Sequence, residues 1–190
     1  MGRKRHLALL DFGGGAGSHY YDIRPYLAEN ISLKWYVVET PTMVKHCKKK
    51  GLENKELRFV DSISGLKDIS FDLVYASGAL QYVKNPYKTL KEIISWRVPF
   101  ILFNRMMLND GDKDLITVQR SLLSWHGPKA KLNSADKVIA FPHTTMSLKR
   151  FGKVVSMKYR LVWNIDETTG KFPISNNVIL GKCFLYELIS

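Results

Sequence analysis

The sequence predicts an α/β fold in which a mostly parallel sheet carries helices on both faces. Short apolar runs alternate with longer amphipathic ones, as they do when strands and crossover helices alternate. The early apolar runs are almost uninterrupted, which is typical of strands buried on both faces. The last two runs have no helical pattern between them, and this indicates an antiparallel pair that ends the sheet. The length, 190 residues, fits one domain spanning residues 1–190.

Seven strands are predicted in order along the chain, separated by helices in the first half. After the fifth strand the pattern weakens through Gly127, Pro128 and Pro142, which predicts an irregular connection over about residues 105–147. A turn-rich stretch, 166–177, separates the last two strands. The predicted strands are residues 7–12, 35–39, 57–60, 71–76, 99–104, 154–163 and 178–188.

Two helices have clear start or stop signals. Asn85 suits the N-cap of the helix after the fourth strand, and Pro86 suits its first turn. Ser18 is predicted to cap the helix after the first strand, and Pro25 is predicted to kink or divide that helix.

Composition excludes several protein classes. The apolar fraction of 45% and the charged fraction of 24% are those of a globular protein, not a disordered one. Cys47 and Cys183 lie far apart without metal-ligand spacing, so neither a disulfide framework nor a metal site is indicated, and a cytoplasmic protein is expected. No apolar stretch approaches the roughly 20 residues of a membrane span. The net charge of +12 favours an anionic partner.

A glycine-rich turn follows the first strand and predicts a ligand that approaches the backbone closely. Glycines permit that approach because they lack a side chain. A dinucleotide-binding turn would carry glycine at the position of Ser18, and the acid that precedes the glycines here suits a cationic ligand group better than a pyrophosphate. The turn consists of Asp11, Phe12, Gly13, Gly14, Gly15, Ala16 and Gly17.

Polar residues also follow the next strands, at what would be one edge of the sheet. Glu39 ends the second strand, where a carboxylate can accept hydrogen bonds from both hydroxyls of a ribose. Asp61 and Ser62 follow the third strand and suit an exocyclic adenine amine, whereas Asp72, near the start of the fourth strand, is expected to be structural. Open parallel sheets bind ligands along this edge.

The turn, Glu39, Asp61 and the segment 71–80 together resemble the motif series of class I S-adenosylmethionine-dependent methyltransferases, over residues 7 to about 104. This resemblance implies a Rossmann-like methyltransferase fold with S-adenosyl-L-methionine as cofactor. It also implies that Asp11 and the glycines hold the methionine end, that Glu39 holds the ribose, that Asp61 and Ser62 hold the adenine, and that Ala76 and Ser77 line the methyl-donor side. Since the sequence starts almost at the first strand, we expect a domain without the N-terminal helices that usually cover the cofactor.

A narrower resemblance involves segments spread over the whole chain. It is to a family of bacterial methyltransferases associated with surface polysaccharide loci, and it implies a sugar or polysaccharide precursor as substrate. It provides no catalytic residue. The segments are residues 10–14, 20–21, 80–82, 85–87, 116–119 and 180–184.

The catalytic candidates are side chains expected near the mouth of the site. His19 is the most accessible base by position, although a histidine at the surface of a helix start is an equally good interpretation. Tyr20 and Tyr82 are more typical of packing than of reaction, and His143 of a loop. Arg105, after the fifth strand, suits an acidic substrate.

The leading hypothesis is therefore a methyltransferase of a small-molecule or glycan-precursor acceptor, at oxygen or nitrogen. A nucleic-acid methyltransferase is the second hypothesis, because the chain is basic and carries many aromatic residues. The third is a non-catalytic protein that keeps the methyltransferase fold as a binding module.

Overall fold

The computed structural model describes residues 6–66, 68–126, 137–174 and 176–189. Within them lie nine strands and four α-helices. The strands are β1 His6–Phe12, β2 Ser32–Val38, β3 Leu57–Val60, β4 Leu73–Ser77, β5 Phe100–Asn109, β6 Leu115–Leu122, β7 Val138–Ser147, β8 Tyr159–Ile174 and β9 Asn177–Leu188. The helices are α1 Ser18–Ile23, α2 Pro41–Lys49, α3 Pro86–Ser95 and α4 Leu148–Val155, joined by 3-10 turns at Arg24–Tyr26, Ile63–Leu66, Leu80–Tyr82 and Leu123–His126.

The first five strands form the predicted parallel sheet, in the order β3-β2-β1-β4-β5. The last two strands form the predicted antiparallel pair, because β9 runs antiparallel to β5 and β8 runs antiparallel to β9. The predicted fold class is therefore confirmed. All five parallel strands end at one edge of the sheet, so the residues that follow them meet there.

Helices cover both faces of the sheet and divide the core in two. α1 and α2 pack on one face, where Tyr20 and Val44 join a buried cluster around Trp35. α3 and α4 pack on the other face, where Leu90 and Phe151 join a larger cluster. Among the described helices, none has the length and hydrophobicity that a bilayer crossing requires.

The predicted irregular connection over residues 105–147 is wrong, because most of it is regular structure. β5 continues to Asn109, and β6 and β7 form an antiparallel hairpin. This hairpin joins the sheet through two residue pairs between the ends of β5 and β7, Leu108 with Met146 and Asn109 with Ser147. The hairpin raises the strand count in the described part of the chain from the expected seven to nine. Gly127 and Pro128 lie outside the described residues.

The strand predicted over residues 154–163 is also wrong in its first half. Residues 148–155 form α4, whose N-cap Ser147 accepts a hydrogen bond from the backbone N–H of Arg150. Phe151 and Val155 are one helical turn apart and both are buried, whereas the β-branched pair at 154–155 suggested a strand. β8 then extends through residues 166–174, where a turn-rich stretch was expected.

The predicted caps of α1 and α3 and the predicted break at Pro25 have different outcomes. Pro25 divides its helix as predicted, because α1 ends at Ile23 and a 3-10 turn contains the proline. Ser18 is not the cap of α1. Gly17 occupies the N-cap in a left-handed conformation, and no side chain caps that helix. Asn85 caps α3 as predicted, with its Oδ1 accepting from the backbone N–H of Lys88 at 3.0 Å.

We expect Asn85→Ala to lower the free energy of unfolding by about 1 kcal/mol, because the backbone N–H of Lys88 loses its cap. Urea denaturation of both proteins measures the difference. Thr40→Ala at the start of α2 is the matched comparison, since Thr40 accepts from Met43 over a longer 3.4 Å and should cost less. An equal or larger loss in Thr40→Ala would contradict the assignment of Asn85 as the stronger cap.

Candidate functional site

The glycine turn lies between the ends of β1 and β2, and Gly13 and Gly14 pack too closely against their neighbours to carry a side chain. The backbone N–H of Gly13 donates to the carbonyl of Val38 at 2.9 Å. Gly13 has φ +72°, and a Cβ on it would lie 2.4 Å from the Cβ of Ala79. A Cβ on Gly14 would lie 2.4 Å from the carboxylate of Asp11. Both positions therefore require glycine.

Asp11 lies beneath this turn and is fully buried. Its Oδ2 accepts hydrogen bonds from the indole N–H of Trp35 at 3.2 Å and from Nδ1 of His19 at 3.0 Å. Two donors in the protein thus already use the carboxylate, and its contact with Gly14 couples it to the shape of the turn. The arrangement makes Asp11 a support of the turn and a buried negative charge directly below it.

His19 does not lie free at the surface. Its ring donates to Asp11 and meets the ring of Tyr75 edge-on, with 4.8 Å between the centroids. The side chain of His19 is 23% exposed. His19 nevertheless stays a candidate base, because Nε2 keeps its lone pair when Nδ1–H donates to Asp11.

Glu39 joins the end of β2 to the glycine turn. Its Oε1 accepts from the backbone N–H of Gly15 at 3.1 Å, and its Oε2 accepts from the backbone N–H of Thr40 at 2.8 Å. Because each carboxylate oxygen has further lone pairs, both can also accept from a ligand. Glu39 is thereby held in one orientation before any ligand binds.

A cleft of about 510 Å³, here called the first cleft, opens along the ends of β1 to β4. This volume lies in the range of small-molecule sites. Two carboxylates line the cleft, and among the described residues no lysine, arginine or histidine lines it, so it suits a ligand with hydroxyl groups and positive charge rather than a pyrophosphate. The lining residues are Phe12, Gly13, Val38, Glu39, Thr40, Asp61, Gly78, Ala79, Tyr82 and Val83.

The structure brings some of the predicted cofactor residues to this cleft and leaves others outside its lining. Phe12, Gly13, Glu39 and Asp61 line it, and Gly15 reaches it through Glu39. Ser62 instead pairs its hydroxyl with that of Ser64, and Ala76 is fully buried in the core. Asp11 lies beneath the turn and Gly14 within it. Gly17 packs against Leu57 and Phe59, and Ser77 lines a different cavity.

That cavity, here called the second pocket, has about 540 Å³ and lies beside the first cleft. Gly78 and Tyr82 line both, so the two share a wall. The rest of its lining comes from the end of β4, the 3-10 turn that follows it, the second half of β5, the β6–β7 hairpin, β8 and β9. The residues are Ser77, Gly78, Gln81, Tyr82, Arg105, Met107, Thr117, Val118, Gln119, His143, Thr145, Glu167 and Ile179.

The remaining catalytic candidates have distinct surroundings. Tyr20 is buried, and its hydroxyl donates to Glu56 at 2.9 Å, which makes it a packing residue on the far side of the turn. Tyr82 stands between the two cavities and donates to Oε1 of Gln119 at 2.8 Å, and burial raises its pKa. Arg105 occupies a β-bulge in β5 with φ +52° and lines the second pocket.

The expectation that Asp72 is structural agrees with the geometry. Asp72 precedes β4, accepts from the backbone N–H of Ala8 at 2.8 Å and donates its own N–H to the carbonyl of Ala8 at 2.8 Å. Tyr87, next to the Asn85-Pro86 cap, donates to Asp114 at 2.7 Å under the guanidinium of Arg150. Both residues stabilise the fold.

Thr117, Gln119 and Thr145 are pocket residues that sequence reasoning missed, and His143 was interpreted as a loop residue. The missed signal is the period of two along β6, where residues 115, 117 and 119 face inward and residues 116, 118 and 120 are exposed. The pattern was hard to recognise because polar Thr117 and Gln119 face inward while Ile116 is 81% exposed. A pocket-lining strand reverses the usual assignment of polar residues to solvent.

Comparison with known proteins agrees with this architecture. The family model described as "Methyltransferase domain" matches residues 10–98, and no curated protein matches the chain. A S-adenosylmethionine-dependent methyltransferase of Clostridium acetobutylicum is 12% identical with a TM-score of 0.57, and the match covers 98% of this chain and 85% of that one.

Two further solved structures have the same fold. One is a SAM-dependent methyltransferase of Methanosarcina mazei, with 10% identity, coverage of 98% of this chain and 94% of that one, and a TM-score of 0.59. The other is an amino pentose methyltransferase of Micromonospora echinaspora with bound SAM, with 10% identity, coverage of 96% and 84%, and a TM-score of 0.58. At these identities the likeness establishes the Rossmann-like methyltransferase fold.

Proposed function

We propose that this chain is an S-adenosylmethionine-dependent methyltransferase that acts on a small-molecule or glycan-precursor acceptor. The observation that carries the proposal is the pair of adjacent cavities with one shared wall, Gly78 and Tyr82. Methyl transfer needs a donor and an acceptor side by side in separate sites. The match of residues 10–98 to a methyltransferase domain supports the same assignment.

The first cleft fits the methyl donor in charge and shape. S-adenosylmethionine carries a sulfonium and an ammonium group, and the described lining of the cleft offers Glu39 and Asp61 without a competing cation. Glu39 would bind the ribose hydroxyls, Asp61 the adenine, and the glycine turn the methionine end above the charge of Asp11. Glu39 would bind with a side chain that the protein already holds in place, which reduces the entropy lost on binding.

When bound, S-adenosylmethionine supplies a methyl group on a positively charged sulfur, which a nucleophile displaces in line. The protein's part is to bring the acceptor atom behind that methyl group and to exclude water. An amine acceptor attacks with its neutral lone pair, whereas a hydroxyl acceptor requires a base for its proton. The second pocket, next to the first cleft, is where the acceptor would lie.

The acceptor class follows from the resemblance to methyltransferases of surface polysaccharide loci and from the basic charge of the chain. The amino pentose methyltransferase of Micromonospora echinaspora uses a similar fold for a sugar. A net charge of +12 favours an acceptor with phosphate or carboxylate groups.

We expect isothermal titration calorimetry to detect binding of S-adenosylmethionine and S-adenosylhomocysteine to the wild-type protein. Glu39→Ala should weaken both by roughly 10- to 100-fold, because a charged acceptor of hydrogen bonds is lost from the cleft. Glu29→Ala, at an exposed carboxylate that does not line the cleft, is the matched control and should bind as the wild type does.

Absence of binding to folded wild-type protein, with folding verified by circular dichroism, would disprove the proposed function. Tight binding without transfer to any acceptor in a broad glycan and small-molecule screen would favour the non-catalytic binding module instead.

A further inference from the structure

The second pocket contains two buried polar atoms that no described residue satisfies, Oγ of Ser77 and Oε1 of Gln81. Gln81 is only 5% exposed. Its Nε2 donates to the backbone carbonyl of Arg105 at 3.2 Å, so the amide is oriented and its oxygen is left as an acceptor. Buried acceptors without a donor are costly. A ligand with hydroxyl or N–H donors would satisfy them.

Arg105 gives the pocket a cation with which no residue in the described part of the chain pairs. No described residue forms an ion pair or hydrogen bond with its guanidinium, although its backbone holds Gln81 in place. Its backbone is left-handed at a register shift in β5, a conformation that is uncommon for residues other than glycine, and its side chain lines the pocket. Free arginines of this kind bind carboxylates and phosphates through paired hydrogen bonds.

His143 is a base on the opposite wall. It is 7% exposed, its Nδ1 lies 3.3 Å from Oγ1 of Thr145, and its ring meets Tyr82 edge-on at 5.2 Å. Burial lowers the pKa of His143, so the imidazole is neutral at pH 7. In the tautomer whose Nδ1–H donates to Thr145, Nε2 carries the free lone pair. Arg105 and Glu167 are the charged groups that line the same pocket.

We propose that the second pocket binds a sugar that carries one anionic group, with Arg105 on that group, Gln81 and Ser77 on its hydroxyls, and His143 as the general base. This inference rests on the proposed function and names its acceptor class. As the acceptor oxygen forms its bond to the methyl carbon, the carbon–sulfur bond breaks and its electron pair stays on sulfur. The hydroxyl proton passes to Nε2 of His143, and later to solvent.

The first experiment measures binding of three probes to the full chain saturated with S-adenosylhomocysteine. D-glucuronate and α-D-glucose 1-phosphate carry the two anionic groups, and D-glucose carries none. We expect at least one anionic sugar to bind ten times or more tightly than glucose. Which of the two anionic sugars binds more tightly shows whether the pocket recognises a carboxylate or a phosphate. Arg105→Gln should remove that preference, and Gln81→Met should weaken all three sugars. Arg120→Gln, on the exposed side of β6, should change nothing.

Binding of S-adenosylhomocysteine to each variant is measured separately, so a failure of the proposed function is visible as loss of that binding. Each sugar is tested up to 10 times the concentration at which S-adenosylhomocysteine saturates the protein, on the order of 10 mM for a weak site. If the wild type binds S-adenosylhomocysteine but binds neither anionic sugar, the acceptor assignment is overturned. An anion preference that persists in Arg105→Gln overturns it as well.

The second experiment tests His143 with the anionic sugar that binds best. We expect radiolabelled methyl transfer to fall roughly 100-fold or more in His143→Asn, while affinities for sugar and S-adenosylhomocysteine stay within a factor of a few. The wild-type rate should rise with pH along a limb centred below the ordinary histidine pKa, and this limb should vanish in the variant. An unchanged rate in His143→Asn overturns its role as the base. A sugar that binds without being methylated overturns the pocket as the acceptor site.

Discussion

Asp11→Ala is expected to lower the free energy of unfolding by about 3 kcal/mol and to remove measurable binding of S-adenosylmethionine. The indole N–H of the fully buried Trp35 loses its acceptor, and so does Nδ1 of His19. An unpaired buried donor keeps its full desolvation penalty. The glycine turn also loses the carboxylate against which Gly14 packs, so the methionine end of the ligand would lose both its platform and the charge beneath it.

Asp11→Asn separates these two effects. An asparagine that places its carbonyl where Oδ2 lies can still accept from Trp35 and His19, so most of the stability should return while the negative charge is absent. Urea denaturation and calorimetry with S-adenosylmethionine measure the two properties in parallel. If Asp11→Asn bound the ligand as tightly as the wild type, the buried charge would have no part in recognition, and only the support of the turn would remain.

Gly13→Ala is expected to destabilise the protein by about 3 kcal/mol, which is the second large effect. The substitution combines left-handed backbone strain with a collision against the Cβ of Ala79 at 2.4 Å. Gly15→Ala carries the strain alone, because nothing lies within 4 Å of its added Cβ, and should cost about 1 kcal/mol. The difference between the two variants isolates the steric contact, and thermal unfolding with urea titration measures it.

Gly51→Ala is the control for these variants. Gly51 has φ +66° with open space around it and lies at the end of α2, away from the first cleft. It should lose about as much stability as Gly15→Ala and keep its affinity for S-adenosylmethionine. Equal stability of Gly13→Ala and Gly51→Ala would show that the packing of Gly13 against Ala79 is relaxed in solution.

Much of the sheet could be predicted because its strands are buried on both faces. β1 and β4 are nearly continuous apolar runs with clear ends, and buried parallel strands leave few alternatives. The Asn85–Pro86 cap was predictable for a local reason, since the side chain bonds only three residues ahead. Local signals need no knowledge of the tertiary structure.

The β6–β7 hairpin could not be predicted because its burial is the reverse of the usual one. Ile116 and Val118 are exposed, whereas the polar residues Thr117 and Gln119 line a pocket. The length of β8 was missed for a related reason. Its outer residues, such as Asp166, are polar or turn-forming, and its strand structure comes from pairing with β9. Pairing between distant segments overrides local propensity.

In the candidate site, the ends of the strands predicted which residues lie near the first cleft better than they predicted which side chains line it. Glu39 and Asp61 lie on the first cleft as the end of each strand suggests. Ser77 ends β4 as well, yet it lines the second pocket, because successive residues of a strand point in opposite directions and a small error in register changes the side. The partners of Asp11 depend on Trp35 from β2, which only the packed structure reveals.

The two cavities are lined by different parts of the chain. Every residue of the first cleft comes from residues 12–83, whereas more than half of the second pocket comes from residues 105–179, largely a hairpin fastened to the sheet by two residue pairs. Such peripheral segments tolerate substitution and insertion better than the strands that support them. With the donor in the first cleft and the acceptor in the second pocket, as proposed, changes in the hairpin would alter acceptor choice and leave the donor site intact.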